Sequence, residues 1–124
     1  MRFLVPSADV LSFYAATDAY VAPSLEDAFG LPILEAMACG LPVIASVQAG
    51  ASENIIDGTT GYLLRDPMNH VELAELIRRL AGDRSAAQKV GAAAAQFVKA
   101  SVSWDHNASA TRKFLEDALT SKHI

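Results

Sequence analysis

The amino-acid sequence predicts an α/β fold, a Rossmann-like parallel sheet flanked by helices. Short apolar runs alternate with helical patterns in the first part of the chain, an order typical of βαβ units and hence of a parallel sheet. Three amphipathic helical patterns then close the chain. With 124 residues, 52% of them hydrophobic, the sequence can form the core of a single domain spanning residues 1–124.

The first predicted elements are a strand, a helix and a second strand. The run RFLV at residues 2–5 is a short strand candidate that a proline stops. Ser7 or Asp9 can cap a helix that continues to about Ala16. Residues 18–22 form the next buried strand, and a second proline ends it.

The following helix is predicted to begin near Leu31 and to end at Gly40. Its start follows from Pro32, since proline is tolerated only in the first turn of a helix. The amides of Phe29, Gly30 and Leu31 then lack acceptors within the helix, and such amides at a positive helix end form an anion site. Either a phosphate group or water is expected there.

Two more strands complete the predicted sheet, at residues 42–46 and within residues 61–65. A small-residue loop at residues 47–52 and a short helix over residues 53–56 separate these strands. Ligands of a parallel sheet bind beyond the carboxyl ends of its strands. The candidate binding loops are therefore residues 23–30 and residues 47–52.

Three helices with apolar residues spaced at i, i+3, i+4 and i+7 end the chain. The last helices, at about residues 85–120, are expected to pack on the sheet or to cross toward a further domain. Trp104 is expected to pack in the core. The three apolar stripes are Leu73, Leu76, Ile77 and Leu80; Val90, Ala94, Phe97 and Val98; and Thr111, Phe114, Leu115, Ala118 and Leu119.

The composition excludes several classes of function. A net charge of -4 and the absence of a basic cluster argue against nucleic-acid binding. No apolar run reaches the roughly 18 residues of a transmembrane helix. The three histidines form no ligand cluster, so no metal site is predicted. The single cysteine, Cys39, suits a reducing cytoplasm and is expected to be a buried small residue.

Glu35 is the one carboxylate in the otherwise apolar helix FGLPILEAMACG. It lies roughly 5 Å beyond Pro32 along the helix axis, and the vicinal hydroxyls of a ribose or another sugar would suit its two oxygens. The alternatives are an ion pair with Arg or Lys and a position at an exposed edge, which the apolar neighbours disfavour. Glu26 and Asp27, just before the helix, could contact the same ligand or simply stabilise the helix N-terminus.

Together these residues resemble a known family. The stretch YVAPSLEDAFGLPILEAMACGLPVIASVQAGASENIIDGTTGYLLRDP is similar to the nucleotide-binding, C-terminal half of GT-B glycosyltransferases of the retaining group called GT4. The signature combines two acids separated by seven residues around FG, a GxPV strand, a small-residue loop with a following glutamate, and a DGxxG turn. The flanks also fit, and the match extends over nearly the whole chain.

The resemblance implies a role for each matching residue. Glu35 would bind the ribose hydroxyls, and the amides of Phe29, Gly30 and Leu31 would hold the diphosphate and the transferred sugar. Asp27 stands where the family has a glutamate and would contact the donor sugar, so Asp27 and Glu35 are the candidate catalytic residues. The loop that carries a glycine pair in the family matches Ala49 and Gly50, and Glu53 matches the glutamate that follows it.

The resemblance also implies a hexosyltransferase donor domain that binds a UDP-, GDP- or ADP-sugar in the cytoplasm, without metal or other cofactor. The acceptor-binding N-terminal domain and the first strands of this domain are absent from the sequence. We therefore expect a domain truncated at its N-terminal side, inactive alone, that associates with an N-terminal domain, a partner chain or itself. The alternatives are a non-catalytic nucleotide-binding or assembly module and an epimerase of GT-B shape.

Overall fold

The computed structural model describes residues 8–121, so the strand predicted at residues 2–5 lies outside the described part. Three parallel strands form one sheet in the order β1-β2-β3. They are β1 (Tyr20–Ala22), β2 (Val43–Ser46) and β3 (Tyr62–Leu64). The parallel sheet expected from the alternating pattern is confirmed, with strands slightly shorter than predicted.

β2 is the central strand, and all of its residues are buried. In the register, Ile44 lies between Val21 of β1 and Tyr62 of β3. Such a strand, covered on both faces, is why the sequence shows a continuous apolar run here rather than an alternating one.

Five α-helices and one 3₁₀ helix connect and cover these strands in the described chain. The α-helices are α1 (Val10–Ala15), α2 (Leu31–Ala38), α3 (His70–Gly82), α4 (Arg84–Ser101) and α5 (Trp104–Ser121). The side chain of Asp9 caps α1, and α2 begins at Leu31 as Pro32 predicts.

The helix predicted at residues 53–56 is wrong in position. A 3₁₀ helix instead spans Gly50–Asn54. Its first two amides, those of Gly50 and Ala51, donate to the carbonyl oxygens of Asp27 and Phe29 in the loop after β1. Because of these hydrogen bonds between the two loops, the helical turn begins before the position predicted for it. No local capping pattern could have indicated these bonds.

The apolar core lies on both faces of the sheet. One cluster joins α2 to Val43, Ala45 and Tyr14, and the other joins Ile44 to α3 and the first half of α4. α4 also packs against α2, and Gly91 of α4 lies close to the backbone of Gly40, just beyond the C-terminus of α2.

α5, the last helix of the described chain, does not pack in the core. α5 has no buried residue, and Trp104 is 87% exposed, so the expectation that it packs in the core is wrong for this chain. Cys39 is also exposed, because it caps the C-terminus of α2 beyond the residues that face the sheet. Within residues 8–121, no helix is long and apolar enough to cross a membrane.

Candidate functional site

The loops that follow β1 and β2 are bonded together at the carboxyl edge of the sheet. The amide of Gly50 donates to the carbonyl oxygen of Asp27 over 3.1 Å, and the amide of Ala51 donates to that of Phe29. Asp27 and Ala49 form an isolated parallel bridge. The two loops chosen from sequence therefore form one surface, and it includes Asp27, Phe29 and Gly50.

Two glycines make this junction possible. A Cβ atom on Gly50 would lie 2.5 Å from the carbonyl oxygen of Ala28, closer than real side chains approach. Gly30 has φ 82° and precedes α2, a left-handed conformation that side chains rarely adopt. The chain thus passes directly from this junction into the first turn of α2.

Replacing Gly50 with alanine should separate the two loops. We expect the free energy of unfolding to fall by about 1–3 kcal/mol, because the new methyl group overlaps backbone rather than a side chain that could rotate away. Chemical denaturation measures this change, and Gly82→Ala is the control, since nothing lies within 4 Å of a Cβ there. An unchanged free energy of unfolding for Gly50→Ala would contradict the close packing.

Two backbone amides at the N-terminus of α2, here called open, lack a hydrogen-bond acceptor within the described chain, and Gly30 itself is buried. The amide of Phe29 donates to Asp27 Oδ1 over 3.2 Å, so the expectation of three open amides is corrected to two. Within residues 8–121, the amides of Gly30 and Leu31 have no acceptor. They lie at the positive end of the helix dipole, where an anion is stabilised.

Glu35 lies about one helical turn beyond these amides and is half-buried. Its Oε2 accepts a hydrogen bond from Tyr14 Oη over 2.9 Å. No Arg or Lys in residues 8–121 forms an ion pair with Glu35, so the alternative of an internal ion pair is not seen there. Burial, followed by the hydrogen bond to Glu35, raises the pKa of Tyr14 well above its usual value, so its hydroxyl stays protonated.

A cavity of about 350 Å³ opens beside Glu35, between α1 and α2. Its wall includes Asp9, Leu11, Tyr14 and the exposed thiol of Cys39. Neither Tyr14 nor Cys39 was singled out for this site from sequence. No local pattern marks either residue, because only the packing of α1 against α2 brings Tyr14 to Glu35.

The other acidic residues singled out from the sequence differ in burial and in hydrogen bonding. Asp27 is half-buried, and its Oδ1 accepts a hydrogen bond from the amide of Phe29, which precedes α2; no side chain in the described chain caps that helix. Glu26 and Glu53 are exposed, and their side chains make no hydrogen bond within the described chain. Among residues 8–121, no group of three potential metal ligands exists.

A larger cavity, of about 580 Å³, lies at the opposite edge of the sheet. Its wall includes Ala19 and Pro42, which precede β1 and β2, and Leu80 of α3. Since ligands of parallel sheets bind beyond the carboxyl ends of the strands, we assign the candidate site to the amides of Gly30 and Leu31 and to Glu35, with the smaller cavity, lined by α1 and the second half of α2, adjoining it at Glu35.

Comparison with known proteins agrees with the family resemblance seen in the sequence. The family model described as glycosyl transferases group 1 matches residues 2–97. The chain is 33% identical over 116 residues to alpha-maltose-1-phosphate synthase of Mycolicibacterium smegmatis, covering 90% of this chain and 30% of that protein.

Solved structures show the same fold. The C-terminal domain of the glycosyl transferase group 1 family protein LpcC of Francisella tularensis matches with a TM-score of 0.74 and 31% identity, covering 84% of this chain and 53% of that one. Anabaena HepE in complex with UDP-glucose matches with a TM-score of 0.68 and 29% identity, covering 93% of this chain and 30% of that one. The family resemblance and the fold predicted from the motifs are confirmed.

Proposed function

Because the chain belongs to the glycosyl transferases group 1 family, we propose that it is the donor domain of a glycosyltransferase and binds a nucleotide-diphosphate sugar. One observation carries this proposal: the half-buried Glu35 has no cationic partner among residues 8–121 and lies one turn beyond the open amides of Gly30 and Leu31. The spacing suits a diphosphate followed by the ribose to which it is attached.

Each part of the donor has a complementary group in this arrangement. The diphosphate accepts hydrogen bonds from the amides of Gly30 and Leu31, and the Phe29–Gly30 backbone borders the transferred sugar. The ribose hydroxyls donate to Glu35, and the base lies in the adjoining cavity. Oδ2 of Asp27 makes no hydrogen bond within the described chain and is available to the sugar. The close contact at Gly50 keeps the second loop against this site.

In the complete enzyme, the bond between the anomeric carbon and the β-phosphate oxygen breaks, a bond to an acceptor hydroxyl oxygen forms on the same face, and the proton of that hydroxyl passes to the departing diphosphate. The amides at the helix end stabilise the departing nucleoside diphosphate. Neither binding loop contains Lys or Arg to balance the charge of that diphosphate. We propose that residues outside these loops supply this charge, and that the chain requires an acceptor-binding N-terminal domain to be active, because the acceptor must be held beside the anomeric carbon.

The proposal also specifies the nucleotide of the donor sugar and the cellular compartment of the protein. Anabaena HepE binds UDP-glucose, so a UDP-sugar is the first candidate donor, ahead of GDP- and ADP-sugars. The exposed thiol of Cys39, the only cysteine, suits the reducing cytoplasm in which we place the protein.

A second candidate function is that of an assembly module. α5 exposes Trp104, Phe114, Leu115 and Leu119, an apolar set that soluble proteins normally cover. A partner chain or a second copy could cover this face whether or not a nucleotide binds.

Titration of the chain with UDP, GDP and ADP by calorimetry tests the donor-site proposal. We expect UDP to bind and to slow alkylation of Cys39 by iodoacetamide, because that thiol lines the same cavity as Glu35. A control titration with uridine, which lacks the diphosphate, should show much weaker binding. Absence of binding by all three nucleotides would contradict the donor site and favour the assembly module.

A further inference from the structure

The hydroxyl of Tyr14 reaches Glu35 from a separate helix, and we propose that Tyr14 is a positioning residue that orients the Glu35 carboxylate toward the ribose. This inference rests on the proposed function. Tyr14 Oη lies 2.9 Å from Glu35 Oε2 and 3.4 Å from the carbonyl oxygen of Pro32, so one hydroxyl contacts both the side chain and the first turn of α2.

Tyr14 is itself held firmly. It is 8% exposed, the one buried residue of α1, and its ring packs edge-to-face on Tyr20 with 6.2 Å between ring centroids. An aromatic side chain has only two torsions, and here the packing restricts both. The hydroxyl therefore occupies a fixed place beside α2 before any ligand arrives.

The hydrogen bond from the fixed Tyr14 hydroxyl restricts the side chain of Glu35 before any ligand binds. A half-buried glutamate has several rotatable bonds, and fixing them on ligand binding costs side-chain entropy. The bond from Tyr14 fixes them in advance. It engages Oε2 and leaves Oε1 without a partner in the described chain, together with a second lone pair on Oε2. Two acceptor positions thus remain for two vicinal hydroxyls.

The protonation state sets the direction of this hydrogen bond. Burial and the neighbouring Glu35 raise the pKa of Tyr14, so Tyr14 donates and the carboxylate accepts at neutral pH. A phenylalanine at this position would keep the ring and its packing on Tyr20 and would lose only the donor. Tyr14→Phe therefore separates the effect of the hydroxyl from that of the ring.

The test compares UDP with 2′,3′-dideoxy-UDP, whose ratio of affinities reports the ribose hydroxyls alone. We expect wild type to prefer UDP, Tyr14→Phe to reduce that preference about tenfold, and both proteins to bind the dideoxy nucleotide equally well. In a Glu35→Ala background, Tyr14→Phe should change the affinity for UDP less than twofold. The matched control is Tyr20→Phe, since the Tyr20 hydroxyl makes no hydrogen bond within the described chain and should leave the preference unchanged.

The test distinguishes failure of the donor-site proposal from failure of the positioning role alone. If wild type binds neither nucleotide, the donor-site proposal fails and this inference fails with it. If wild type prefers UDP and Tyr14→Phe prefers it equally, only the positioning role is overturned. A loss of affinity for the dideoxy nucleotide as well would show a structural role for the hydroxyl and would also overturn the inference.

Discussion

Gly91→Ala is expected to lower the free energy of unfolding by about 3 kcal/mol, the largest effect on stability that we foresee for a single methyl group in this protein. A Cβ atom at Gly91 of α4 would overlap the carbonyl oxygen of Gly40 and would lie 3.1 Å from the nitrogen of Pro42. Both neighbours are backbone atoms, so neither can rotate away.

Urea denaturation at neutral pH measures this effect. The control is Gly82→Ala at the end of α3, where no atom lies within 4 Å of a new Cβ. That substitution should be neutral or stabilising by up to about 1 kcal/mol, since alanine is the better helix former. A loss below about 0.5 kcal/mol for Gly91→Ala would mean that α2 and α4 separate more easily than their contact suggests.

The same contact matters for the site. Gly40 follows the C-terminus of α2 directly, and α2 carries both the open amides and Glu35. A displacement at Gly91 therefore moves the helix that holds the proposed donor. We expect Gly91→Ala protein that remains folded at low temperature to bind UDP more weakly than Gly82→Ala protein.

Glu35→Ala should lower the affinity for UDP about 100-fold, or about 3 kcal/mol. The reason is the loss of two hydrogen bonds between ribose hydroxyls and a carboxylate, each stronger than a bond between neutral groups. Calorimetry on the wild-type and variant chains measures the change. Glu75→Ala is the control, because Glu75 is an exposed glutamate of α3 without a hydrogen bond in the described chain.

Glu35→Gln refines this experiment. Glutamine keeps an oxygen that can accept from Tyr14, so the fold around α1 and α2 is preserved, while the charge is lost. We expect an affinity for UDP between those of wild type and Glu35→Ala. If both variants bound UDP as tightly as wild type, Glu35 would have no part in nucleotide binding, and its hydrogen bond with Tyr14 would serve only the fold.

Much of the fold follows from local patterns. Pro32 marks the start of α2, and Gly40 follows its end with the positive φ that glycine favours. The central strand β2 shows the unbroken apolar run of a strand covered on both faces. The 3₁₀ helix at Gly50–Asn54 could not be placed in this way, because its first bonds go to residues more than twenty positions earlier.

For the candidate site too, some features follow from sequence patterns and others only from how the elements pack. The amino-acid sequence alone determined the family, the helix that begins at Pro32 and the place of Glu35 on it, since these depend on residue types and short spacings. Only the tertiary structure decided that Tyr14 bonds Glu35 and that Cys39 and Trp104 are exposed. Those outcomes depend on which elements pack together, and no local propensity encodes a contact between residues distant in the chain.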